Sequence, residues 1–133
     1  LTACMLATDW QAVDPALAAG TVAAGLPISG LFELEPLLKT SLNERLGLDA
    51  AEARRLSPLF WPVRPGISVT AWVGGNESAE YHRQTRTLVA RWRQAGVTAS
   101  AVEAAGQSHF TVIAPLAKPQ SQLTQQLVAL AAV

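Results

Sequence analysis

From Ile67 to Val73 the chain alternates apolar and small residues, Ile-Ser-Val-Thr-Ala-Trp-Val, then stops at Gly74-Gly75 and delivers Asn76-Glu77-Ser78 to the start of an amphipathic stretch. A run of this length bounded by glycines predicts a parallel strand, and the stretch behind it predicts a helix. In open α/β sheets, ligands and reacting groups gather beyond the carboxyl ends of the strands, so topology alone places Glu77 where chemistry happens. A second unit of the same kind delivers His109: Val97 to Glu103 alternates weakly and predicts a strand, and the small residues 104–108 form a loop that presents the imidazole. If the two strands are parallel neighbours, their ends lie about 4.8 Å apart, which brings a carboxylate and an imidazole on short loops into hydrogen-bond reach.

The rest of the chain supplies the crossovers. Leu1, Met5 and either Cys4 or Thr8 recur at helical spacing and predict the remnant of a buried helix that ends before Asp14-Pro15. Residues 21–31 predict a buried strand with an irregular end, because Pro27 cannot donate to a ladder. Phe32 to Gly47 lacks sustained periodicity and is expected to be a functional loop with a helical turn. Asp49 and Glu52 have the form of a capping box for a short helix running to Leu56, which Ser57-Pro58 ends. Tyr81, Thr85, Leu88, Trp92 and Ala95 share one face of a long helix, with Ser78 as the expected N-cap and Gly96 as the C-terminal cap. A last helix is expected to open at Pro119 and bury Leu123, Leu127 and Leu130. The order helix, strand, helix, strand, helix, strand, helix implies an α/β fold, a parallel sheet with helices on both faces, with about three strands and four helices.

Composition narrows the function. At 133 residues, half of them hydrophobic, the chain can bury a sizeable core as one domain. Ten basic and ten acidic residues cancel, so neither nucleic acid nor an anionic membrane is a favoured partner. Cys4 alone cannot form an internal disulfide, which suits a reducing, cytoplasmic location, and with two histidines there is no zinc-spaced cluster. No metal or organic cofactor is expected. The apolar run from Ala16 to Leu26 is too short and too broken to span a bilayer, which needs about 20 residues. The opening Leu-Thr-Ala-Cys-Met lacks an initiator methionine and lies inside an apparent helix, so the natural start is expected upstream.

Several stretches then match one family. The run Ile28-Ser29-Gly30-Leu31-Phe32-Glu33-Leu34-Glu35-Pro36-Leu37, the triplet Leu56-Ser57-Pro58, the acid loop and helix start Gly74-Gly75-Asn76-Glu77-Ser78-Ala79-Glu80-Tyr81-His82-Arg83-Gln84, and Ser108-His109-Phe110 resemble the carboxyl-terminal half of α/β-hydrolases of the kynurenine formamidase and carboxylesterase-like group. The resemblance covers nearly the whole chain. The opening Leu-Thr-Ala resembles the residues just past the family's nucleophile elbow, which implies a serine about five residues before Leu1. The same resemblance implies Glu77 as the triad acid, where family members often have aspartate, and His109 as the base. The implied activity is hydrolysis of a small ester or amide, with an arylformamide such as N-formylkynurenine first, and the implied partner is the missing amino-terminal half of the same domain. Residues 1–133 alone are expected to be inactive. A general carboxylesterase or lipase-like enzyme, or a non-catalytic binding domain of the same fold, are the alternatives; a homo-oligomer is compatible with either.

Other residues compete for these roles. Glu80 is the rival acid, expected one turn into the helix and solvated. His82 is expected at the surface. Cys4 in an apolar helix is expected to be inert packing, and Ser29 and Ser57 lack an elbow sequence around them. Arg83, Arg86, Arg91 and Arg93 spread around a helix that also needs a solvated face, and Phe32, Phe60 and Trp61 could line an aromatic or acyl pocket or fill the core.

Overall fold

In the computed structural model, which describes residues 1–132, three parallel strands run side by side in chain order. They are β1 (Ala24–Gly25), β2 (Ser68–Gly74) and β3 (Thr98–Ala104). The central strand β2 pairs with β3 over its full length, from Ser68 against Thr98 to Gly74 against Ala104. Its residues from Val69 to Gly74 are buried on both sides, as a parallel sheet covered by crossover helices requires.

The two faces of β2 organise two cores. Val69 and Ala71 project to one side with Ile67, where they meet Ala3 and Leu6 of α1 (Thr2–Ala7) and Leu88, Val89 and Trp92 of a long helix. Trp72 projects to the other side and packs with Leu26, Val112, Leu123 and Leu130. Helices therefore cover both faces. The short α2 (Trp10–Val13) precedes β1, α3 (Asn43–Leu46) and α4 (Ala50–Leu56) lie between β1 and β2, α5 (Ala79–Gln94) lies between β2 and β3, and α6 (Gln122–Ala131) closes the second face. The four helices longer than one turn, α1, α4, α5 and α6, alternate with the strands in the expected order.

The end of α5 shows how local sequence sets a boundary. Gly96 takes φ +85°; its N–H bonds the Arg93 carbonyl at 3.0 Å and the Val97 N–H bonds the Trp92 carbonyl at 3.0 Å. These paired bonds are a Schellman motif, and buried Val97 supplies the apolar contact that accompanies it.

Other expectations are corrected. The strand over 21–31 shrinks to Ala24–Gly25 plus one bridge, Ile28 against Trp72, because Pro27 has only a carbonyl to offer, which accepts from the Trp72 N–H at 2.8 Å. In α1 the buried residues are Ala3 and Leu6, while Leu1 and Met5 are exposed, so the stripe is shifted around the helix. Asp49 caps α4 by accepting from the Glu52 N–H, but Glu52 pairs with Arg55 at 3.1 Å rather than reaching back, leaving half a capping box. Ser78 has the backbone of an N-cap without the side-chain bond. The last helix begins at Gln122, capped by the Ser121 hydroxyl, and its Leu127 is exposed. The segment 32–47 holds a 3₁₀ helix (Glu35–Lys39) as well as the single turn of α3. Among the described residues no helix is long and apolar enough to cross a membrane.

Candidate active site

β2 and β3 end level with one another, and the loops that leave them are tied together through the backbone. The Gly75 N–H donates to the Ala104 carbonyl at 2.7 Å, and the Asn76 N–H to the Gln107 carbonyl at 2.9 Å. This approach explains the glycine pair: a Cβ on Gly74 would stand 2.5 Å from the Gln107 oxygen, and one on Gly75 3.0 Å from the Ala104 oxygen. The two loops can come this close only without side chains at those positions.

The result brings Glu77 and His109 together. The imidazole Nδ1 lies 2.9 Å from Glu77 Oε2, the carboxylate side chain being fully enclosed and the imidazole 46% exposed. Glu77 Oε1 accepts from the Gly74 N–H at 2.8 Å and from the Ser29 hydroxyl at 2.5 Å. Burial works to push this carboxyl up, but the bonds from Ser29, Gly74 and His109, with the charge of an imidazolium, outweigh it and hold the group below its ordinary value. An ionised carboxylate only accepts, so Nδ1 must carry a proton, and whenever the ring is neutral it is Nε2 that holds the free lone pair. The ring is steadied from two sides: Tyr81 lies over it with centroids 4.9 Å apart, and Phe110 meets it edge-on at 5.7 Å.

The lowered pKa has a consequence for stability. Because the folded value lies below the unfolded one, ionised Glu77 favours the fold at and above pH 4.5, and that contribution is lost as pH falls through the folded-state pKa. In urea unfolding at a series of acidic pH values, Glu77→Gln should make the loss of stability below pH 4.5 shallower. An unchanged slope would contradict an ionised, hydrogen-bonded Glu77.

No family model matches the chain. Over 96% of its length it is 28% identical to kynurenine formamidase of Danio rerio and 26% identical to that of Salmo salar. A candidate thioesterase of known structure from a Silicibacter species superposes with a TM-score of 0.78 at 39% identity, over 92% of this chain and 44% of that one. The chain has the α/β-hydrolase fold. The EstE5–PMSF complex, with a TM-score of 0.61 at 16% identity over 98% of this chain and 50% of that one, shares the fold. So does an esterase/lipase from an uncultured bacterium, with a TM-score of 0.56 at 18% identity over 95% and 46%. The chain spans about half the length of the relatives it matches, 44% and 45% of the two formamidases.

The other candidate residues have separate roles. Glu80 is not simply solvated: it accepts from Arg83 at 2.7 Å and from Gln84 at 2.9 Å, and the Arg83 guanidinium chiefly holds its carboxyl below the ordinary value. His82 is half-buried, its Nδ1 3.4 Å from Glu103, rather than at the surface. The four arginines share no anion site: Arg83 binds Glu33 and Glu80, Arg86 binds Glu103, Arg93 bonds the Ala99 carbonyl, and Arg91 lies over Phe60. Phe32 is core, while Phe60 and Trp61 line a separate concavity with Val63 and Arg91. A cleft of about 250 Å³ opens beside Leu1, Cys4, Ile28, Gly30 and Phe32; neither Glu77 nor His109 lines it, but Ile28 and Gly30 flank Ser29. Ser57 is buried, its hydroxyl bonded to the Ala53 carbonyl.

Two residues that sequence reasoning missed belong to the site's frame. Ser29 reaches Glu77 across 48 positions of chain. Gln84, buried in α5, accepts from the Phe32 and Glu33 N–H groups at 2.7 and 2.8 Å and so fixes the loop that carries Ser29. A signal for Gln84 exists: it is a polar residue set three after Tyr81 and four before Leu88, inside the apolar stripe.

Proposed function

We propose that this chain supplies the acid and the base of a serine hydrolase acting on a small ester or amide, with an arylformamide such as N-formylkynurenine as the first substrate to test. The observation that carries the reading is the enclosed Glu77 carboxylate bonded to Nδ1 of a solvent-reachable imidazole at 2.9 Å. His109 Nε2 accepts the proton of an attacking serine and returns it to the leaving group, while Glu77 fixes the tautomer and stabilises the imidazolium. The serine comes from outside residues 1–133. Ser29 spends its hydroxyl on Glu77, Ser57 on Ala53, and Ser108 lies against Thr111. The oxyanion donors, backbone N–H groups in such enzymes, lie outside these residues as well.

The formamidase relatives support the amide, whereas the higher identity to a candidate thioesterase, 39%, favours an ester or thioester as the second reading. Turnover of N-formylkynurenine, short p-nitrophenyl esters and acyl thioesters by the full-length protein separates them. Formamide hydrolysis at the highest kcat/KM is the expected result; esters or thioesters turned over while the formamide is untouched would move the function to the second reading. No turnover of any of the three, with the serine present, would favour a binding domain.

A further inference from the structure

Ser29 is the one non-glycine residue with a positive φ, +49°, among the described residues. It stands just past Ile28, which bridges to Trp72, and its own N–H donates to the Trp72 carbonyl at 2.8 Å. The backbone at this position is therefore locked onto β2 two residues before the strand reaches Gly74. The next stretch of chain is locked as well, by Gln84 at Phe32 and Glu33 and by the Ser57 hydroxyl, which accepts from the Leu34 N–H at 2.8 Å. A left-handed residue held at both ends points its side chain in a fixed direction. That direction is toward Glu77 Oε1.

The two oxygens of Glu77 are thus divided. Oε1 takes both fixed donors, the Gly74 N–H and the Ser29 hydroxyl, and Oε2 is left for His109. The Gly74 donor alone would not set the carboxylate plane, because one bond leaves the group free to turn about it, whereas two donors from different elements define the plane. Ser29 cannot be a rival nucleophile in this arrangement, since its proton goes to the carboxylate rather than to the imidazole.

We propose that Ser29 is a positioning residue, whose hydroxyl turns the Glu77 carboxylate so that Oε2 meets His109 Nδ1. The proposal rests on the acid and base roles given above. Its expected cost comes from geometry, since a small misplacement of a catalytic pair lowers the rate by about 10- to 100-fold.

The test uses Ser29→Gly in the full-length protein. Glycine accepts the positive φ without strain, so the fold is kept while the hydroxyl is removed. Two readouts require no turnover: the ¹³C titration of the Glu77 side-chain carboxyl, and the downfield ¹H resonance of His109 Nδ1–H. The third is kcat/KM on whichever substrate the wild type hydrolyses. Loss of the hydroxyl should raise the Glu77 titration midpoint, shift or broaden the Nδ1–H signal, and lower kcat/KM by about 10- to 100-fold, with only a modest fall in melting temperature from the lost bond to Glu77. Ser29→Asn, which tolerates this backbone region and offers an amide donor, should restore part of the Nδ1–H signal. Spectra identical to wild type in Ser29→Gly would overturn the positioning role, whatever happens to stability. Failure of the wild type to hydrolyse any substrate would instead overturn the hydrolase reading, and the two spectra would still decide whether Ser29 orients the carboxylate.

Discussion

Replacing His109 with alanine is expected to lower kcat/KM by about 10⁶-fold in the full-length protein, because the attacking serine loses its proton acceptor and the leaving group its proton donor. The fold should survive. The imidazole is 46% exposed, and its aromatic neighbour Phe110 is 88% exposed, so the substitution opens no core cavity. The local cost is that Glu77 Oε2 loses a donor; water entering the vacated space replaces it, which limits the penalty to about 1 kcal/mol. Circular dichroism and urea unfolding should therefore resemble wild type while turnover collapses. A variant that keeps activity within tenfold of wild type would remove His109 from the chemistry and with it the proposed acid–base pair.

Trp92→Ala should have the largest effect on stability, about 3–5 kcal/mol in urea unfolding. The indole is 1% exposed and packs in the core between α5 and β2 with Leu59, Ile67 and Leu88. Its Nε1 has no hydrogen-bond partner among the described residues, so the loss is one of packing and cavity formation rather than of a polar contact. Trp92→Phe should accordingly cost less than half as much, since it keeps most of the ring and deletes the unpartnered N–H. For a domain whose whole stability is about 5–15 kcal/mol, the alanine variant would be expected to express poorly. A change under about 1 kcal/mol would mean that this core is far more plastic than a close-packed interior.

How much of the molecule was legible in the sequence depends on the range of the interaction concerned. The strand β2 and the helix α5 were readable because each is specified by its own residues: alternation ending in Gly74-Gly75, and a stripe ending at Gly96. The pairing of Glu77 with His109 came from topology, as both leave neighbouring parallel strands at the same edge. The site's frame was less visible. Ser29 meets Glu77 only because the chain folds back after Pro27, and a serine after an apolar run carries no local mark of that contact. Pro27 also concealed how short β1 is, since pairing stops and resumes around it as a single bridge. At the amino terminus, the choice between a Leu1/Met5 and an Ala3/Leu6 stripe depended on which side β1 and β2 present, and a six-residue helix offers too few turns to decide by periodicity.

The level ending of β2 and β3, Gly74 against Ala104, has a consequence for how this region can change over time. From that shared starting line the chain takes three steps to Glu77 and five to His109, so the two loops act as measured arms. Beyond Gly74 and Gly75, where the close approach leaves no room for a side chain, residues along them can be exchanged wherever a small side chain suffices, but an added or deleted position would rotate one arm away from the other. Mutation here is constrained in length more tightly than in identity, and an insertion outside both arms should be tolerated where the same insertion within either would silence the pair.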